Sequence, residues 1–253
     1  MHYRRMLKAR FTLIPLALVA LLVGAMSSMS SARAEEAKPL VVVELFTSQG
    51  CSSCPPADTY LGELAAEPNV LALAFHVDYW NYIGWTDPFA SKLATQRQRD
   101  YARQLGLRYV YTPQMVINGT AEGVGSERQT IAPLIKAAAS DRQKTAVTLR
   151  RDTDGKLVVH VGEGAAHEPA TIWLVGIDHE RSTKVTRGEN GGSTLHEFQI
   201  VRSFKEIGTW RGQTLDLTVA GSEAAGDGNV AVLIQLGGTG RIIGAAALKP
   251  PTS

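Results

Sequence analysis

Cys51 and Cys54 are the only cysteines in the 253-residue chain, and Ser52 and Ser53 separate them. A pair this close makes a poor structural staple. In the chain-entropy model so short a loop gains roughly 2 kcal/mol, against about 4.7 kcal/mol for a loop of about 100 residues. As a redox pair the spacing suits the chemistry. A helix N-terminus presents unpaired N–H groups and partial positive charge, which favour a thiolate at the first cysteine. The second cysteine, one turn further in, can then displace whatever the first captures. A zinc site requires four ligands, usually from two such pairs, and the chain has one pair. The expected chemistry is thiol–disulfide exchange with no cofactor and no metal. The expected partner is a thiol- or disulfide-containing protein or a small thiol.

The flanking residues supply the elements this chemistry needs. Leu40 to Phe46 is a β-branched, apolar run that reads as a buried strand, and Thr47-Ser48-Gln49-Gly50 reads as a turn. Pro55 and Pro56 suit a first helical turn, and helix formers continue to Ala66. This places Cys51 exposed at the helix N-terminus and Cys54 deeper. A second buried strand is expected over Val70–Val77. An aromatic segment, Asp78 to Phe89, follows it, either as a packed loop or as a substrate-contacting surface. Ser91 to Leu105 reads as a polar helix stopped by Gly106. Thr112-Pro113 opens an apolar strand that ends in the hairpin turn Asn118-Gly119, and its X-Pro bond is compatible with a cis isomer. Ile131 to Ala139 closes this region as a short helix.

From about Thr145 the pattern becomes short candidate strands: Ala146–Arg150, Lys156–Val161, Ala170–His179, Leu195–Ile200, Thr214–Val219, Asn229–Leu236 and Arg241–Leu248. Asp154-Gly155, Gly191-Gly192 and Gly237-Gly238 mark turns. Phe204 to Trp210 reads as a helical turn or loop. The spacing suggests an antiparallel sheet or small sandwich. Asn190-Gly191-Gly192 reads either as a plain turn or as the lining of a cleft.

The order of elements is similar to that of a thioredoxin-like fold, in which a Thr-Pro or similar step lies beside the sulfurs. The chain more closely resembles a secreted family, the domain of unknown function numbered 1223. The residues carrying this are Glu44 to Asp58, His76 to Trp80, Gly84-Trp85, Tyr111 to Val116 and Gly188 to Gly191. The resemblance implies an α/β thioredoxin-like N-terminal domain over residues 35–142, followed by a mostly antiparallel β domain over 143–253. It implies site roles for Cys51, Cys54, Thr112 and Pro113, and only weakly implies an activity. Gly50 stands where thioredoxin proper has Trp, and Ser52-Ser53 carry no charge to stabilise a thiolate. The expected reduction potential therefore lies between the reducing and strongly oxidising extremes.

Two supporting groups have open readings. Glu44, in an otherwise apolar strand, is either a solvated edge carboxylate or a buried proton acceptor behind Cys54. His76 is either a core or capping histidine or, beside the sulfurs, a copper ligand. Copper or redox-partner binding without turnover is thus the alternative function.

Residues 1–34 read as a signal peptide. A basic start (Arg4, Arg5, Lys8, Arg10) precedes an uncharged apolar run, Phe11 to Met26, and the small-x-small step Ala32-Arg33-Ala34. The expected location is periplasmic or secreted, with no membrane association after cleavage. Of the 26 basic residues five lie in this segment, leaving 21 against 24 acidic and a formal charge of −3. No basic stripe points to nucleic acid.

Overall fold

The computed structural model describes residues 39–141, 145–165 and 167–248. The segment read as a signal peptide lies outside them. Along the first stretch run β1 (Val41–Thr47), α1 (Pro55–Leu64), β2 (Val70–His76), α2 (Lys92–Gln104), β3 (Gln114–Ile117), β4 (Ala121–Val124) and α3 (Arg128–Ala139). Strands β5 (Val147–Arg151), β6 (Leu157–Val161), β7 (Ala170–Lys184), β8 (Thr194–Trp210), β9 (Leu215–Val219), β10 (Asn229–Leu236) and β11 (Ile242–Leu248) follow.

The expected fold class is corrected by the sheet topology. The chain is mostly β, with 42% strand and 20% helix. Its first four strands do not form a sheet of their own. They are one half of a mixed eight-stranded sheet ordered β11-β10-β7-β8-β2-β1-β3-β4, while β5-β6-β9 form a separate antiparallel sheet. The join is a parallel pairing of β2 with β8 at Ala74 and Ile200. The described residues cluster as one compact unit, and strands from both sides of the 142/143 boundary share the large sheet. The segment read as a turn, Phe204 to Trp210, is the second half of the 17-residue β8.

Alternation along the strands assigns the sheet's two faces. Val42 and Phe46 of β1, Leu73 and Phe75 of β2, Phe204 of β8 and Leu233 of β10 gather around Tyr101 of α2 in one core. Val41, Val43 and Leu45, on the opposite face of β1, pack on α1 and α3. On the outer face of the other half, Ile172, Leu174 and Val232 pack against Leu157 and Val159 of the small sheet. The large sheet curls around α2 until its two ends meet, where Ile242 N–H donates to Asn118 O at 2.9 Å.

A buried ion pair ties the curl together. Arg97 of α2 donates from Nε to Glu44 Oε1 at 2.6 Å and from Nη2 to Glu44 Oε2 and Gln235 Oε1, both at 3.1 Å. Its guanidinium stacks over Phe204, 4.3 Å from the ring centroid, and Tyr101 donates its hydroxyl to Glu44. One side chain thus joins β1, α2, β8 and β10. Removing one partner of such a pair leaves a buried charge uncompensated. Arg97→Met is therefore expected to lower the free energy of urea unfolding by about 3 kcal/mol.

Candidate functional site

Cys51 and Cys54 form a disulfide. Cys54 is the N-cap of α1, and Pro55 and Pro56 open the helix, where their missing N–H groups cost nothing. The expected exposure of Cys51 is corrected: it is 1% exposed and Cys54 0%, although Ser52 and Ser53 between them are exposed. The Cys51 sulfur lies 3.3 Å from Ser53 Oγ.

A segment from far along the chain bonds to the backbone around the pair. The β7–β8 connection, residues 185–193, folds back on itself through Val185 N–H to Ser193 O and Gly192 N–H to Val185 O, both 2.9 Å. At its tip Asn190 Nδ2 donates to Gln49 O at 2.9 Å and Cys51 O at 3.0 Å. Glu189 Oε2 accepts from Ser52 N–H at 3.0 Å. Hydrogen bonding from the Ser52 hydroxyl and, second to it, from the Ser52 N–H holds the exposed Glu189 carboxyl below its ordinary range. Gly188, at φ +75°, sits against Ile83 and Trp85, where a Cβ would come within 3.2 Å of Ile83 Cδ1. The aromatic segment after β2 is thus the wall on which this cap rests.

The Thr112–Pro113 bond is cis. Thr112 Oγ1 accepts from Trp80 Nε1 at 2.8 Å, and the Trp80 Cβ lies against Gly50, 3.0 Å from where a Cβ would be. Pro113 O accepts from Gly125 N–H at 2.9 Å, and Gly125 packs on Ala57 of α1. Trp80 and Gly125 therefore tie the Thr-Pro step to both flanks of the disulfide. From α2, Gln98 Nε2 holds the same loop by donating to Tyr111 O at 2.7 Å.

A buried acid–imidazole cluster begins one helical turn after Cys54, at Asp58. His76 Nδ1 is 2.7 Å from Asp87 Oδ2 and 3.9 Å from Glu197 Oε1. Its Nε2 is buried with no hydrogen-bond partner among the described residues. Asp58, one turn beyond Cys54, is 6% exposed, and its N–H donates to Cys54 O at 3.1 Å. Desolvation pushes the Asp58 carboxyl up to about 7, against the opposing pull of His76. Desolvation alone would lower His76, but Asp87, Glu197 and Asp58 outweigh it and carry the imidazole up to about 9. Desolvation likewise raises Glu197, whereas Asp87 is lowered because the His76 charge and its hydrogen bonds outweigh burial.

A family model described as "Protein of unknown function (DUF1223)" matches residues 42–235. The chain belongs to the DUF1223 family. The DUF1223 chain is similar to a crystallised protein of Agrobacterium tumefaciens at 32% identity. That likeness has a TM-score of 0.74 and covers 84% of this chain and 96% of the other. It also shares its fold with HBP35 of Porphyromonas gingivalis, at 15% identity and a TM-score of 0.55, over 85% of this chain and 78% of that one. No curated protein matches it.

In this DUF1223 protein Thr112 and Pro113 are tied, through Trp80 and Gly125, to Gly50 before Cys51 and to Ala57 after Cys54, and Glu44 is not part of this arrangement. Glu44 is fully buried, but it lies on the α2 face of β1, paired with Arg97. Thr47, His76 and α1 are on the other face. His76 points its Nδ1 at Asp87, and no cluster of three or more His, Cys, Asp or Glu with metal-holding geometry occurs among the described residues. The sequence reading missed Asp58, Glu189 and Glu197 as parts of the site. Asp58 carried a signal: it falls four residues after Cys54 on a helix face whose other members, Leu61 and Leu64, are apolar.

A carboxyl whose proton affinity rises on folding costs stability above its unfolded value. For Asp58 the cost begins near 3.8 and is complete above about 7. Asp58→Asn is therefore expected to gain stability relative to wild type on going from pH 4.5 to pH 8, measured by urea unfolding at both values. An unchanged difference would contradict the placement of Asp58 as a desolvated acid.

Proposed function

We propose that this DUF1223 protein is a thiol–disulfide exchange protein of the bacterial envelope whose Cys51–Cys54 pair is gated by the β7–β8 loop. With the cap closed, neither sulfur is within reach of an attacking thiolate. Exchange therefore runs through a conformation in which residues 186–192 lift away. The observation that carries the reading is the nature of the cover. It is a polar surface loop joined by Glu189 and Asn190, through three hydrogen bonds, to the backbone at Gln49, Cys51 and Ser52, beside two exposed serines, not a packed apolar core.

The cap also bears on reactivity. The Glu189 carboxylate sits at the Ser52 N–H, beside Cys51 and at the positive end of α1. A negative charge there opposes a second one on the Cys51 sulfur. Lifting the loop removes that opposition and frees the Ser52 N–H to face the thiolate. The partner on this reading is a thiol- or disulfide-containing protein or a small thiol. The basic start, apolar run and small-x-small step of residues 1–34 support export to a compartment where disulfides persist.

A second reading, a retained disulfide in a binding module, is favoured by the burial of both sulfurs. One variant separates the two. Asn190→Ala removes two hydrogen bonds from the closed cap, about 1.5 kcal/mol in all, and so raises the open fraction about tenfold. Reduction of the folded protein by a small thiol is expected to speed up by that factor. Adding Cys54→Ala is expected to trap partners as mixed disulfides on Cys51. A pair in folded Asn190→Ala that resists millimolar dithiol would contradict exchange and leave the retained-disulfide reading.

A further inference from the structure

Opening a disulfide by exchange creates a sulfur anion on the leaving cysteine, and here that cysteine is the fully buried Cys54. A charge formed there without water is costly unless a proton meets it. Residue 58 is the i+4 neighbour of residue 54, so the two side chains share a face of the helix. That face is the one packed against the sheet, with Ala57 and Leu61 in the same core as Leu45 and Ala74. Thr47 at the end of β1 and His76 at the end of β2 are register partners in the sheet, and both act on Asp58.

We propose that Asp58 is the general acid and base of Cys54, giving a proton to its sulfur when the disulfide opens and taking it back when the disulfide closes, with His76, Asp87 and Glu197 as positioning residues. The inference rests on the exchange reading above. The step balances as follows. A partner thiolate attacks the Cys51 sulfur, the S–S bond breaks, and the bonding pair leaves on Cys54. The Asp58 carboxyl transfers its proton to that sulfur and becomes a carboxylate. A second thiolate of the partner attacks the partner's own sulfur in the mixed disulfide and releases the Cys51 thiolate. The partner dithiol is then oxidised to a disulfide and the Cys51–Cys54 pair reduced. In the reverse direction the Asp58 carboxylate deprotonates the Cys54 thiol, which attacks the mixed disulfide.

The groups facing Asp58 come from several elements: Thr47 of β1, His76 of β2, Asp87 from the loop before α2, and Glu197 of β8. They form a closed set. Asp87 is anchored by Gln49 N–H at 2.9 Å, and Glu197 by Gln49 Nε2 at 2.8 Å and Thr183 Oγ1 at 3.4 Å. His76 therefore keeps its charge next to Asp58, and its Nε2 is left without a partner among the described residues. The carboxyl is held near 7, where an acid both gives and takes protons at neutral pH.

The test is the pH profile of reduction of the full chain by a monothiol. It is read between pH 5.5 and 8.5 and normalised to the thiolate concentration at each pH. The thiol is kept low, so that the rate is first order in it and cap opening is a pre-equilibrium. Glu189 titrates below this window and contributes nothing to the profile. The normalised rate is expected to be flat below pH 6 and to fall at least tenfold through about pH 7, as Asp58 loses its proton. Asp58→Asn is expected to abolish the fall and to react at least tenfold more slowly at pH 6. His76→Gln removes the charge that lowers Asp58, so the midpoint of the fall is expected to move up. A merely structural role would leave that midpoint in place. A folded wild-type protein that reacts with no thiol at any pH overturns the exchange reading. A protein that reacts with a flat profile, or a His76→Gln variant with an unmoved midpoint, overturns the role of Asp58 alone.

Discussion

Gln49 is the joint on which the site depends. Each of its polar groups bonds to a different part of the chain: its backbone N–H to Asp87, its backbone carbonyl to Asn190, its amide oxygen to Trp85 Nε1 at 2.9 Å, and its amide nitrogen to Glu197. It stands at the end of β1, two residues before Cys51, and is 1% exposed. A buried amide must have its partners or forfeit the full cost of its desolvation. That requirement fixes the aromatic wall, the acid–imidazole cluster and the cap relative to one another. The disulfide follows Gln49 closely, with Cys51 and Ser52 bonded to the cap and Asp58 of the cluster one turn beyond Cys54.

The same arrangement separates structural from chemical roles among the buried charges. On the α2 face Glu44 has Arg97, Tyr101 and, through them, Gln235, so its charge is compensated and its task is to hold the curled sheet. On the α1 face four ionisable groups, Asp58, His76, Asp87 and Glu197, crowd together with three acids to one base. They cannot all be charged without strong repulsion, and Asp58, the one without a close cationic bond, is the one that yields. A proton held in this way, one helical turn from Cys54, is what the proposed acid–base role of Asp58 uses.

Local structure was largely legible in the sequence. Asn229–Leu236 is β10 to the residue, Asn118-Gly119 makes the hairpin between β3 and β4 with both residues at positive φ, and Ser91 caps α2 by accepting from Ala94 N–H. The sheet was not legible. Nothing in the alternation of β2 says that its neighbour is β8, more than a hundred residues away. In Phe204–Trp210 the sequence Lys205-Glu206 followed by Gly208 disrupts the alternation and hides a strand that irregularities in the β7–β8 ladder accommodate. The exposure of Cys51 failed for the same reason. The helix N-terminus sets its local setting, but its surroundings include partners such as Asn190, 139 positions further on. Glu44 announced itself as a charge in an apolar strand, and only the fold reveals that its partner is Arg97.

The most direct measurement of a gated disulfide is the dependence of its reduction rate on thiol concentration. If the β7–β8 loop controls access, the rate rises and then levels at the opening rate of the cap, and chemically different thiols reach the same plateau. A rate that climbs in proportion to thiol without limit, and differs from thiol to thiol throughout, would mean that the sulfurs are open to solvent and that no gate exists.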